Sequence, residues 1–187
     1  VAADGDPQPH AVPLGQGQRH GEGQLVEGGV PLQGTITASG NKNAALKMLP
    51  ACLLTDEPVI LHNVPNIADV RVTAEILRYI GAEIEYLDVH TWRVQAKNLL
   101  TTHLPPEKAG LIRGSIVMAG PLLAREGHLN LPVPGGDVIG RRRLDTHVLA
   151  LQQLGANIEY EHGAFQMNAE SLHGANILLD EASVTAT

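Results

Sequence analysis

The chain has 187 residues, the length of one ordinary domain, and its 43% hydrophobic and 18% charged residues exclude a disordered or fibrous chain. Twenty acidic against thirteen basic residues leave a net charge of −7, which argues against a surface for nucleic acid or anionic membrane, and 3% aromatics argue against stacking on bases. A lone cysteine, Cys52, rules out an internal disulfide or a cysteine-cluster zinc site. The longest apolar run, Ile116 to Ala124, falls far short of the ~20 residues that cross a bilayer. No charged-then-apolar leader opens the chain, so cytoplasmic residence is expected.

Residues 1–23 are rich in Gly, Pro, Gln and His, carry neither helical nor strand periodicity, and read as a disordered tail. From Gln24 to Gly40, short apolar residues alternate with Gly turns, which predicts strands joined by tight turns. Asn43 to Leu54 carries apolar residues at helical spacing, with Pro50 predicting a kink or a short helix. Cys52 falls on the apolar side of that helix and reads as an inert core thiol.

Comparison of the chain with itself is more informative than local propensity. LRYIGAEIEY (Leu77 to Tyr86) recurs as LQQLGANIEY (Leu151 to Tyr160), offset by 74. LLTDEPVILHNVP (Leu53 to Pro65) parallels LLAREGHLNLPVP (Leu122 to Pro134), offset by 69. Two copies of a helix, strand, helix, strand unit follow, the second with five extra residues between Pro134 and Leu151. A third copy begins at Gly174, and the sequence reads as a fragment. Added length confined to one loop of a repeated scaffold marks a functional candidate.

That loop combines Gly135 and Gly136 with Asp137 and three successive arginines, Arg141 to Arg143. Guanidinium groups bind phosphate through paired hydrogen bonds, so a phosphorylated ligand fits, although a solvated basic turn would look the same. SGNKN, Ser39 to Asn43, places Lys42 at a predicted helix start, either an anion site or an ordinary cap by Ser39 or Asn41. Arg113 opens a predicted helix at nearly the corresponding point of the second copy, which favours one anion shared by the two. Eight of the nine histidines lie in the tail or in scattered turns without metal-binding spacing and read as surface residues. His147, near a helix start after the arginines, could orient a substrate or cap the turn.

At this point GGVPLQGTITASGNKNAAL, NVPNIADV, RGSIVMAGPLLAR, LPVPGGDVIGRRRLDTH, LQQLGANI and LDEASVTAT resemble, in order and at matching distances, the start of the UDP-N-acetylglucosamine 1-carboxyvinyltransferases. The resemblance implies an α/β, EPSP synthase-like inside-out barrel built from repeated helix-strand units and incomplete in this chain. Residues 24–187 would form part of the catalytic domain, about two of its three units with the third begun. The implied substrates are phosphoenolpyruvate and UDP-N-acetylglucosamine, with no cofactor, no metal, no nucleic acid and no membrane. The implied reaction is enolpyruvyl transfer to the sugar 3-hydroxyl with release of phosphate, the first committed step of peptidoglycan synthesis.

By position, Lys42 and Asn43 resemble the family's Lys-Asn pair that contacts phosphoenolpyruvate and the substrates. Arg113 matches the arginine of an R-A-S-I string, here R-G-S-I, and Arg142 the phosphate-binding arginine. Arg143, Leu144, Asp145, Thr146 and His147 fall on the segment that cradles uridine, with Arg143 where Pro is usual. Ser183, Val184 and Thr185 match the strip beside the diphosphate, with Thr185 for a usual Gly and Glu181 for a frequent Lys. Asp137 stands where most members have a reactive Cys. A carboxyl there can serve as the acid, yet it attacks the epoxide fosfomycin poorly, which implies fosfomycin resistance. The alternatives are an inactive truncated nucleotide-binding fragment and a 3-phosphoshikimate 1-carboxyvinyltransferase.

Overall fold

The computed structural model describes residues 29, 31, 33–136 and 144–179. It separates into two compact units, Val1–Ala38 and Ser39–Thr187. In the first, the described positions carry no regular element, and 33–38 are exposed, Ile36 at 94%. The strands predicted over Gln24–Gly40 are therefore not seen at the described positions. Alternation makes a segment fit for a sheet, but only a neighbouring row of N–H and C=O groups makes it a strand. The predicted tail, 1–23, lies outside the described residues.

The second unit contains two copies of one module. The first runs α1 (Lys42–Ala51), a 3-10 turn (Cys52–Leu54), β1 (Val59–Leu61), α2 (Ala68–Tyr79), β2 (Glu83–Tyr86) and β3 (Trp92–Gln95). A short α3 (Pro106–Ala109) leads into the second: a 3-10 helix (Arg113–Met118) continuing as α4 (Ala119–Glu126), then β4 (His128–Pro132), α5 (Asp145–Gln153), β5 (Asn157–Glu161) and β6 (Ala164–Asn168). Each copy forms a three-stranded antiparallel sheet with its last strand in the centre, in the orders β1-β3-β2 and β4-β6-β5.

Two expectations about the repeat are corrected. The unit has three strands rather than two, because TWRVQ and AFQMN share burial rather than letters. Trp92 and Val94 in β3 occupy the places of Phe165 and Met167 in β6. The offset of 69 is also one residue short. Leu61 pairs with Trp92 and Leu131 with Phe165, so the register gives an offset of 70, and the loop before α5 has gained four residues, not five. A slip of one would set buried Leu61 against half-buried Asn130, on the wrong face.

The helices form for local reasons. The Asn41 side chain accepts the Ala44 N–H at 2.9 Å and caps α1. Pro50 falls in the last turn of α1, where the chain tightens to the 3-10 turn, so the helix is short as expected. In α2, Val70, Thr73, Ala74 and Leu77 form the buried stripe at i, i+3, i+4, i+7. Gly81 (φ +111) and Gly155 (φ +106) end the second helix of each copy at equivalent places. Each then takes the same return contact, Leu100 N–H to Ile80 O at 2.8 Å and His173 N–H to Leu154 O at 2.9 Å. Leu49, Leu53, Leu77, Ile116, Leu122 and Leu131 sit fully buried in one cluster that runs through both modules. At roughly 1.5–3 kcal/mol per buried aliphatic side chain, this shared core holds the two copies as one body.

Candidate functional site

Lys42 and Asn43 occupy the first turn of α1, both exposed, with no acidic residue in that turn. The Lys42 ammonium pairs with the Asp69 carboxylate, in the first turn of α2, at 2.5 Å. One turn into α1, the Leu46 side chain lies beneath Gly114, the residue after Arg113. Arg113 opens its helix as expected, in 3-10 rather than α form. Ser115, wholly buried, fixes that start: its hydroxyl hydrogen-bonds the Ala109 and Ile112 carbonyls, each at 3.0 Å.

Each module also makes a crossing in front of its first helix. A Cβ on Gly40 would lie 1.8 Å from the Asn63 carbonyl oxygen, and a Cβ on Gly135 would lie 1.6 Å from that of Gly110. Both crossings need backbone to pass where no side chain fits. Lys108, just before Gly110, pairs with Glu75 of α2 at 2.5 Å and holds that carboxyl below its ordinary range. Gly136, at φ +96, then backs onto the Arg113 backbone. The loop that carries Asp137 therefore departs beside Arg113.

Its far end returns to the same helix. Thr146 and His147, in the first turn of α5, are buried. His147 lines a groove of about 200 Å³ with Ile116, Val117 and Gly120, one to two turns beyond Arg113. Leu144 is half-buried and Asp145 exposed. Of the sequence-predicted residues, Gly136 thus backs directly onto Arg113, while Lys42 and Asn43 open the neighbouring helix, whose Leu46 meets the residue after Arg113. Asp137, Arg142, Arg143, Ser183, Val184 and Thr185 lie outside the described residues. A cavity of about 540 Å³ opens at the other end of α4 around Glu126 and Glu170 and contains none of them.

Asp69 and Ser115 were not singled out in the sequence. An acidic residue in a helix's first turn reads as a partner for the helix dipole, and nothing local shows that it faces a lysine 27 positions away. Among the described residues, the other histidines are exposed. No group of three or more His, Cys, Asp or Glu there could hold a metal ion, and no helix there is long and apolar enough to cross a membrane. Cys52 is buried, its thiol bonded to the Met48 carbonyl and pushed up by burial to about 11.

Residues 26–187 match the EPSP synthase (3-phosphoshikimate 1-carboxyvinyltransferase) family. The chain belongs to that family. Within it, the chain is 50% identical over 163 residues to the UDP-N-acetylglucosamine 1-carboxyvinyltransferase of Treponema denticola. It is 52% identical to those of Bradyrhizobium diazoefficiens and Treponema pallidum. Each alignment covers 87% of this chain and 38% of the relative, so the chain spans well under half the length of these proteins. Among solved structures, the enolpyruvyl transferase NikO from Streptomyces tendae superposes with a TM-score of 0.62 at 26% identity, over 75% of this chain and 31% of that one. EPSP synthase from Acinetobacter baumannii shares the fold, with a TM-score of 0.60 at 17% identity over 82% and 36% of the two chains. The fold is thus the EPSP synthase-like α/β fold, and the named relatives make this a family of enzymes.

Proposed function

We propose that this chain is part of a UDP-N-acetylglucosamine 1-carboxyvinyltransferase of peptidoglycan synthesis, acting in the cytoplasm. Residues 24–187 would be a portion of its catalytic domain. Identity carries the reading: 50–52% to relatives of that name, against 17% to the EPSP synthase structure. In the reaction, the sugar 3-hydroxyl gives up its proton to a base as its oxygen bonds to C2 of phosphoenolpyruvate, while C3 takes a proton from an acid. The tetrahedral adduct then loses that phosphate, and a proton from C3, to restore the double bond. Lys42, Arg113 and Arg142 would hold the phosphate and carboxylate charges, and Asn43 would orient the substrates. Asp137 would deliver the proton, Arg143 to His147 would cradle uridine, and Ser183 to Thr185 would flank the diphosphate. No cofactor or metal is needed, because anion binding and proton transfer suffice.

That the chain spans 38% of its relatives favours a second statement: by itself it binds without turnover. The test measures phosphate release from phosphoenolpyruvate with UDP-N-acetylglucosamine or shikimate 3-phosphate as acceptor. The 187-residue chain should release none above a no-enzyme control, and a form extended to the relatives' length should use only the nucleotide sugar. Turnover with shikimate 3-phosphate by the extended form would overturn the assignment.

A further inference from the structure

Two helical stretches carry the two cationic helix starts, Lys42–Leu54 and Arg113–Glu126. They lie side by side and run in the same direction. Near their starts Leu46 meets Gly114. Near their ends the guanidinium of Arg125 reaches the main chain of the first module. Its Nη1 donates to the Leu53 carbonyl at 2.7 Å and, more weakly, to that of Thr55 at 3.4 Å. Its Nη2 donates to the Lys97 carbonyl at 3.1 Å, and Nε lies 3.3 Å from a Glu126 carboxylate oxygen. The Leu53 carbonyl ends a helix and has no partner further along it, while Lys97 lies just past β3. One side chain, 20% exposed, therefore gathers the end of a helix and the end of a strand of one copy onto the last turn of the other.

We propose that Arg125 is a positioning residue. It stands about 20 Å along its helix from Arg113, at about 2.0 Å per residue through the 3-10 part and 1.5 Å through α4, and touches neither candidate substrate position. With Leu46–Gly114 at one end and Arg125 at the other, the two stretches are pinned twice, which fixes the separation of Lys42 from Arg113. Without the clasp, the polar tie at the far end is gone and one stretch tilts on the other about the buried contacts that remain, so that the two cations lose their common focus. Lysine is a poor substitute, because a compact ammonium cannot span carbonyls that the planar fork reaches together. The mechanical part stands on the contacts above; its consequence for phosphate binding rests on the proposed function.

The test uses the 187-residue chain with Cys52→Ala as background and spin labels on cysteines at two exposed positions, 44 on α1 and 111 before the 3-10 helix. Arg125→Ala should broaden or displace the inter-label distance distribution while the chain still melts cooperatively, and Arg125→Lys should fall between it and the parent. In unlabelled protein, Arg125→Ala should weaken phosphoenolpyruvate binding, followed by amide shifts at the two helix starts, by about tenfold or more, as small misplacements of binding groups do. An unchanged distance distribution in folded Arg125→Ala overturns the proposal. If that variant does not fold, an unchanged distribution in Arg125→Gln and Arg125→Lys has the same force. Broadened distances with undiminished phosphoenolpyruvate binding would overturn the role in ligand positioning. A parent chain that binds no phosphoenolpyruvate, with distances that broaden in Arg125→Ala, counts against the proposed function and leaves the clasp in place.

Discussion

The two modules share a frame and differ in one passage. In the first, the link from β1 to α2 is tied down: the Val64 N–H donates to the His90 carbonyl at 2.8 Å, and His90 Nδ1 sits 2.8 Å from the Val64 carbonyl. Asn63 turns the chain there in the left-handed region at φ 56. In the second, the matching link begins with Gly135 and Gly136, has gained four residues by the register of the sheets, and carries Asp137 and the arginines. A duplicated scaffold thus keeps a closed structural turn in one copy and, in the other, a longer link whose sequence carries Asp137 and the arginines. Both begin at a backbone crossing in front of a cationic helix start.

If the longer link carries the chemistry, the largest effects should come from its charges and their partner in the first module. In a form extended to the relatives' length, Arg142→Ala and Lys42→Ala should each lower kcat/KM for phosphoenolpyruvate about 100-fold or more, the ~2.7–4 kcal/mol lost when one charge-stabilising donor is removed. Near-normal steady-state kinetics in either would break the shared-anion reading. Asp137 sharpens the same contrast. With a carboxylate in the loop and Cys52 buried, the extended enzyme should resist time-dependent inactivation by fosfomycin. Asp137→Cys should confer it and move the activity optimum upward toward the thiol's higher pKa. Covalent inactivation of the Asp137 form, with the adduct mapped to this loop by mass spectrometry, would refute its role as the acid.

The crossings provide a test of the shared frame. A Cβ would fall inside the opposing carbonyl at both places, so Gly40→Ala and Gly135→Ala should each cost on the order of 3 kcal/mol in urea unfolding. Two similar losses would confirm that both copies use the crossing structurally. A loss at Gly40 alone would mean that the second crossing yields.

How much of this could be read from the letters varies with the kind of contact. Repeated helix ends were legible because Gly81 and Gly155 serve one backbone need, and the need fixes the residue. The central strands β3 and β6 were not, because burying alternate apolar groups is satisfied equally by Trp-Arg-Val and Phe-Gln-Met. Lys42 and Arg113 stood out as cations at helix starts. Asp69, Ser115 and Arg125 did not, since each acts on a partner set by the packing of helices, and Arg125 bonds to carbonyls that every residue possesses. Register was lost by one residue because short apolar strands align nearly as well one step out of place.

Cys52 separates the modules in pH. Burial raises its pKa from 9.0 to about 11, so between those values the folded chain holds a proton that the unfolded chain releases. The stabilisation is fully present below the unfolded value and declines as pH rises through the folded one. The stability lead of the parent over Cys52→Ala in urea should therefore hold up to about pH 8 and shrink between about pH 9 and about pH 11. A constant difference would mean that the thiol is not held protonated. The second module has no counterpart: Leu122 stands at the register's offset of 70 from Cys52.

The smallest effect concerns the contact between modules. Gly114 sits in the helical stretch without a positive φ, and a Cβ there would meet Leu46 Cδ1 at 3.6 Å, an ordinary van der Waals distance. Alanine would restrict the unfolded chain and add one methyl to the seam between α1 and the Arg113 helix, so Gly114→Ala should stabilise by ~0.5–1 kcal/mol. The R-A-S-I string that this region resembles carries alanine at that place, which accords with a pocket already shaped for it. The gain should appear as a higher urea midpoint with an unchanged slope. It should shrink but persist in Leu46→Ala, because the methyl then loses its packing partner while the restriction of the unfolded chain remains. A loss of stability in Gly114→Ala would show the seam closer than 3.6 Å, with the two helix starts held more tightly than the Leu46 contact implies.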